Sequence, residues 1–146
     1  DMKRIVVGIK DPAVAGELVD WTAYLSDSLH APATIVHAVQ RSEMWVVAGM
    51  QLDCTQYVRD FRSRLIHDVV GPLKVRGIDT TLDVAVGDPA RVLAEVARRS
   101  GAGLILIGAT AHAPMREMLA GNVGHQLERI VHVPLVVVPA SRPLAA

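Results

Sequence analysis

With 146 residues, of which 51% are hydrophobic, the chain suits one compact domain that can bury a core without disulfides or metal. Fifteen Lys and Arg balance fifteen Asp and Glu, so no long-range field draws it to nucleic acid or an anionic membrane, and any anion site must come from a local cluster. Cys54 is the single cysteine and the opening DMKRIVVGI has too short an apolar run for a signal peptide or a membrane span, so a reducing cytoplasm is the expected setting.

In chain order, RIVVGI (4–9) reads as a buried strand, followed by the turn KDPAVA. Residues 15–29 then repeat apolar positions with helical spacing, which predicts a helix whose inner face carries Leu18, Val19, Trp21, Thr22 and Leu25. ATIVHAV (33–39) is a second strand. The stretch RSEMWVVAGMQLDCTQYV after it holds Met44, Trp45, Val46, Val47 and Met50 on what should be a surface connection. It either packs as the first part of the second helix or forms a lid or partner contact, with a small-molecule ligand beneath Met44, Trp45 and Met50; a Trp and flexible methionines suit both.

A helix is predicted over 53–76, apolar at Val58, Phe61, Leu65, Ile66, Val69, Val70 and Leu73, with Gly71-Pro72 marking a kink or break. Gly77 leads into the strand DTTLDVAV. Asp88 caps the next helix, Pro89 takes its first position, and Val92, Leu93, Val96 and Ala97 form its apolar stripe through Ser100. GLILIG is strand four, GNVGHQLERIV a short last helix, and VPLVVVP strand five.

Strands alternating with helices predict the α/β class: a single doubly wound domain over 2–141, with a five-stranded parallel sheet in the order 3-2-1-4-5, helices on both faces and a short tail at 142–146. Such sheets bind ligands at the carboxyl ends of their strands, where the winding reverses between strands one and four. KDPAVA, the segment after Val39, and GATAHAPMREMLAGNV from Gly108 onward converge there. Strand five is apolar at every position between its prolines, more than an exposed edge tolerates, and is expected to be covered by a second copy through Val133, Leu135, Val136, Val137 and Val138.

Catalytic motifs are missing from this pattern: no G-x-S-x-G elbow, no P-loop, and no G-x-G-x-x-G after a strand. His112, His125 and His132 have no metal-ligand spacing. His37, inside an apolar strand, reads as a partly buried histidine with a hydrogen bond, and Cys54 as inert. The chain is therefore expected not to be an enzyme.

RIVVGIKDP, VAVGDPARVLAEVARRSGAGLILIG and GNVGHQLERIVHVPLVVVP resemble the first strand, central segment and ending of the universal stress protein family. That resemblance implies a five-stranded parallel fold, dimers paired through the last strand, and a place for ATP or another adenine nucleotide. Many members of the family hold ATP through G-x-x-G, nine residues, then G followed by Ser or Thr. Here the frame falls on Gly108, Ala111, Gly121 and Asn122, with Ala111 replacing a glycine and Asn122 a hydroxyl residue. At the end of strand one, Lys10 stands where the family commonly has an acid, with Asp11 one place later. The binding residues so implied are Ile9, Lys10, Asp11, Ala38, Val39, Gly108, Ala111, Arg116, Gly121, Asn122 and Val123.

Alanine hinders both a positive φ and a close approach to phosphate, whereas Asn122 still caps a helix. Two readings stay open: a stress-response or signalling domain that binds ATP weakly or not at all, and a true ATP- or AMP-binding protein using the stretch 108–122. For Gly108 and Gly121, a turn and a helix start compete with an anion-binding role, and Arg116 reads first as a solvated surface residue.

Overall fold

The computed structural model describes residues 2–108 and 123–139. Five strands, β1 (Ile5–Gly8), β2 (Ala33–Val39), β3 (Thr80–Val86), β4 (Leu104–Gly108) and β5 (Leu135–Val138), form one sheet in the order β3-β2-β1-β4-β5. Every pairing is parallel, with Gly8 opposite both Val36 and Ile107, and Gly108 opposite Val138. The expected α/β architecture and strand order are both present.

Alternate residues of the strands feed two separate cores, as the period of two requires. On one face Ile5, Val7 and Ile35 pack with Leu18 of α1 (Gly16–Leu29) and with Phe61 and Leu65 of α3 (Cys54–Leu65). On the other, Val6, Val36, Ile105 and Ile107 meet Leu93 and Val96 of α5 (Pro89–Ser100) and Leu127 of α6 (Val123–Ile130). Covered on both sides, β1 and β4 can be continuous apolar runs. Contact on the second face is close: a Cβ at Gly8 would lie 2.9 Å from Leu93 Cδ1, so glycine there lets α5 settle onto β1.

The helix ends follow their sequence signals. Asp88 accepts from the Arg91 N–H at 3.2 Å with Pro89 in the first turn, and α5 stops at Gly101, whose φ of 66° is left-handed. The Gly71-Pro72 interruption takes a specific form: α3 widens into a π turn over Ile66–Val70, where the Gly71 N–H reaches back to the Ile66 carbonyl, before α4 (Gly71–Val75). Pro72 offers no N–H and its ring crowds the carbonyl four residues back, which a wider turn relieves.

Two expectations are corrected. Trp21 does not face the core: it is 47% exposed, edge-on to Tyr24 with ring centroids 5.9 Å apart. The inner stripe of α1 is Leu18, Val19, Thr22 and Ser26, and Thr22 is admitted because its hydroxyl donates to the Leu18 carbonyl at 2.7 Å. Nor is the stretch after strand two a plain connection or the start of the second helix. It forms its own helix, α2 (Arg41–Gly49).

Candidate functional site

The carboxyl edge is assembled from the exits of β1, β2 and β4. The β1–β2 ladder finishes with the Ile9 N–H donating to the Val36 carbonyl at 2.9 Å. The next acceptor, the Ile9 carbonyl, is taken by His37 Nδ1 at 2.7 Å, which fixes the proton on Nδ1 and leaves Nε2 as the lone-pair nitrogen. The imidazole lies flat against Phe61, centroids 3.9 Å apart and planes 13° from parallel, and the Arg64 guanidinium sits 4.7 Å from the centre of the same Phe61 ring. His37 is 4% exposed, and its Nε2 has no hydrogen-bond partner among the described residues. Burial pushes its pKa below the ordinary value, against the pull of the Ile9 bond and the Glu43 charge.

Ile9 is buried, while Lys10 and Asp11 are exposed. The Asp11 carboxylate turns back to accept from the Ala13 N–H at 2.9 Å and so starts the 3-10 turn Pro12–Val14. Ala38 is half-buried and Val39 fully buried, with the Val39 carbonyl accepting from the Gly87 N–H at 2.9 Å. Gly108 ends β4 one residue beyond the Gly8–Ile107 pair and so lies beside Ile9. It is not among the glycines of positive φ, and a Cβ built on it would meet Leu18 Cδ2 only at an ordinary 3.5 Å. Ile9, Lys10, Asp11, Ala38, Val39 and Gly108 are thus brought to one edge. Val123 opens α6, which packs on α5. Ala111, Arg116, Gly121 and Asn122 lie outside the described residues.

Above this edge, α2 is tied down by polar contacts. Glu43 Oε1 accepts from the Gln40 N–H at 3.1 Å, completing a capping box, and Glu43 Oε2 accepts from the Tyr57 hydroxyl at 2.8 Å. That bond to a carboxylate raises the Tyr57 pKa above its usual value. Cys54 Sγ lies 3.8 Å from the Met44 carbonyl. Val47 is the buried residue of α2, whereas Trp45 is 78% exposed and Val46 and Met50 also face solvent.

A hollow of about 960 Å³ opens beside α5 and β3 and reaches the first turn of α2 at Gln40, Arg41 and Ser42. Its charged walls are mixed, Asp83, Asp88 and Glu95 against Arg41, Arg91 and Arg99, and Met44, Trp45 and Met50 are not part of them. Among the described residues, no group of three His, Cys, Asp or Glu could hold a metal, and no helix is long and apolar enough to cross a membrane.

Reasoning from the sequence expected a hydrogen bond at His37 but missed its partner, the Ile9 carbonyl, and it missed the Gln40–Glu43–Tyr57 chain. The first carries no sequence signal, since Ile9 acts through its backbone. The second does: Gln40 and Glu43 have the three-residue spacing of a capping box.

The chain also matches known proteins. The model of the universal stress protein family matches residues 2–139. Universal stress protein Rv2623 of Mycobacterium tuberculosis is 28% identical over 92% of the chain, which spans 46% of that relative. Universal stress protein YxiE of Bacillus subtilis is 18% identical over 92% of the chain and 97% of its own length. Among solved structures, hypothetical protein MJ0577 superposes with a TM-score of 0.78 at 16% identity, covering 97% of this chain and 98% of that one. A universal stress protein from Archaeoglobus fulgidus in complex with dAMP gives 0.65 at 16%, over 93% and 97% of the two chains. Another universal stress protein, in complex with cAMP, gives 0.64 at 20%, over 96% and 98%. With the sheet order, the two covered faces and a family match running from β1 through β5, the chain belongs to the universal stress protein family.

Proposed function

We propose that the chain acts as a non-enzymatic stress-response or signalling domain, a homodimer paired along β5, whose carboxyl edge binds ATP weakly or not at all. The observation that carries this reading is the exit of β1. Lys10 stands there in place of an acid, and the Asp11 carboxylate beside it is already engaged by Ala13. At the middle position of the family's phosphate-binding frame stands Ala111, and an alanine hinders both a positive φ and a close approach to an oxygen. The unpaired Cys54 suits a reducing cytoplasm.

A second reading, adenine-nucleotide binding, is favoured by Gly108. Nothing the described fold does with this residue demands a glycine, since its φ is not positive and a Cβ would have room; close approach of a ligand would supply the reason. The relatives solved with cAMP and dAMP point the same way.

Calorimetry and thermal-shift measurements with ATP, ADP, AMP and cAMP, with and without divalent metal, separate the two, because a ligand that binds the folded state raises its stability by mass action. Weak ATP binding is expected for the wild type, and a Kd tighter than about 1 μM, near −8.2 kcal/mol, would reverse the reading. Ala111→Gly is expected to tighten ATP binding by about tenfold, or about 1.4 kcal/mol, and Asn122→Ser by less. Equal or absent effects would make the stretch 108–122 a folding element.

A further inference from the structure

Four elements meet at His37. Its own strand β2 holds it 4% exposed, β1 gives the Ile9 carbonyl to Nδ1, and α3 covers its face with Phe61. The α2 helix brings the carboxylate of Glu43 into its field. The charged and titratable groups around it are Glu43, which favours a proton on the ring, Arg64, which opposes one, and Tyr57, which is bonded to Glu43.

In the neutral ring every strong demand but one is met, and that one, Nε2, is an acceptor left bare among the described residues. Adding a proton turns Nε2 into a buried donor with no acceptor beside it among the described residues, and gives the ring a charge in an apolar wall. Both penalties vanish if the ring swings into water, but that motion breaks the Ile9 bond and the Phe61 stack together. The element above can yield: among α2 side chains, Val47 is the one buried, and among the described residues its remaining side-chain ties are Glu43 to Tyr57 and Cys54 to Met44.

We propose that His37 is a proton-operated latch that ties the exit of β1 to α3 and α2 when neutral, and releases this corner of the carboxyl edge when protonated. The folded form resists the proton and the open form accepts it at the ordinary value of 6.5. Closure is therefore complete above pH 6.5 and weakens as pH falls below it, by up to a factor of ten for each pH unit.

Cys54, at the α2–α3 junction, reports the opening. Its reaction with 4,4′-dithiodipyridine is followed on the full chain at about pH 7.5 and about pH 5.5, each rate divided by that of free cysteine at the same pH, with far-UV circular dichroism confirming that the fold persists. The normalised wild-type rate is expected to rise about tenfold on acidification. His37→Phe keeps a ring against Phe61 but cannot titrate, and its normalised rate should not respond; His37→Gln, which keeps a donor for Ile9, serves if the Phe variant does not fold. Glu43→Gln should retain the response. A flat wild-type ratio overturns the proposal, as does a response that survives in the His37 variant or disappears with Glu43→Gln. Should neither His37 variant fold, the proton NMR titration of the His37 ring in the wild type must share its midpoint with the Cys54 response, and a mismatch also overturns it.

Discussion

The sheet has two edges, and they are built in opposite ways. On the α5 side of β3 stands Asp83, whose carboxylate pairs with Arg99 at 3.0 Å, while Leu82 and Val84 pack on the opposite core. A charge facing inward on an outermost strand discourages another strand from docking, because docking would strip water from it. β5 carries no charge. Leu135 packs on one core, Val136 and Val138 on the other, and Val137 stays 36% exposed. Beside it, under α6, lies a hollow of about 350 Å³ walled by Val131, Val133, Leu135 and Val137, with Glu128 and His125 at its rim. The difference teaches that burial of a strand's faces does not decide the fate of its edge. What differs between the two edges is whether a charged side chain stands where the next strand would come.

Transferring the device of one edge to the other gives the largest expected effect. Val137→Lys places a cation on β5 and should convert the proposed dimer into a monomer, read by sedimentation velocity or light scattering; a wild type already monomeric at high concentration would remove the contrast. The reverse transfer, Asp83→Val, should cost no more than about 1 kcal/mol of stability but add concentration-dependent species larger than the wild type, since β3 then offers an apolar edge. An Asp83→Val protein that stays the same size as wild type would mean that Asp83 does not guard that edge. The smallest effect belongs to Arg99→Ala. Arg99 and Asp83 are 60% and 36% exposed at the side chain, so the pair should contribute only about 0.2–1 kcal/mol to urea unfolding, diminishing with added salt.

The edges also show which features sequence carries. Strands β1, β2, β4 and β5 were legible because buried strands need unbroken β-branched runs, and α5 because Asp88 and Pro89 mark its start and Val92, Leu93, Val96 and Ala97 its apolar stripe. Helix α2 was not, because Trp45, Val46 and Met50 face outward and Val47 inward. A helix held by a cap and by Tyr57, fourteen residues away, leaves no amphipathic period to read. Trp21 was misplaced because helical spacing put it on one face with Leu18 and Thr22, whereas the buried stripe is narrower and runs through Leu18, Val19, Thr22 and Ser26, with the Thr22 hydroxyl bonded within the helix. At the candidate site, topology brought the loops after β1, β2 and β4 to one edge, and the family resemblance picked out Ile9, Lys10, Ala38, Val39 and Gly108 within it. The occupation of the Asp11 carboxylate by Ala13 and of the Ile9 carbonyl by His37 are matters of a few ångströms between backbone and side chain, and no residue pattern encodes them.

The π turn at Ile66–Val70 has a consequence for the angular phase of the whole α3–α4 rod. Phe61, Leu65, Val69 and Leu73 recur every fourth residue, and all four are buried. In a straight α-helix, a strict four-residue repeat advances by about 40° at each step, or about 120° from Phe61 to Leu73, enough to carry the last side chain off the sheet. Five residues wound more loosely cancel most of that advance and keep the row pointing one way. The wide turn thus acts as a phase correction that lets one row of side chains follow a flat surface. Regular α winding of the same residues would instead rotate everything beyond Val70: Leu73 would leave the core, and Arg76 would lose Asp20, which it now holds at 2.7 Å.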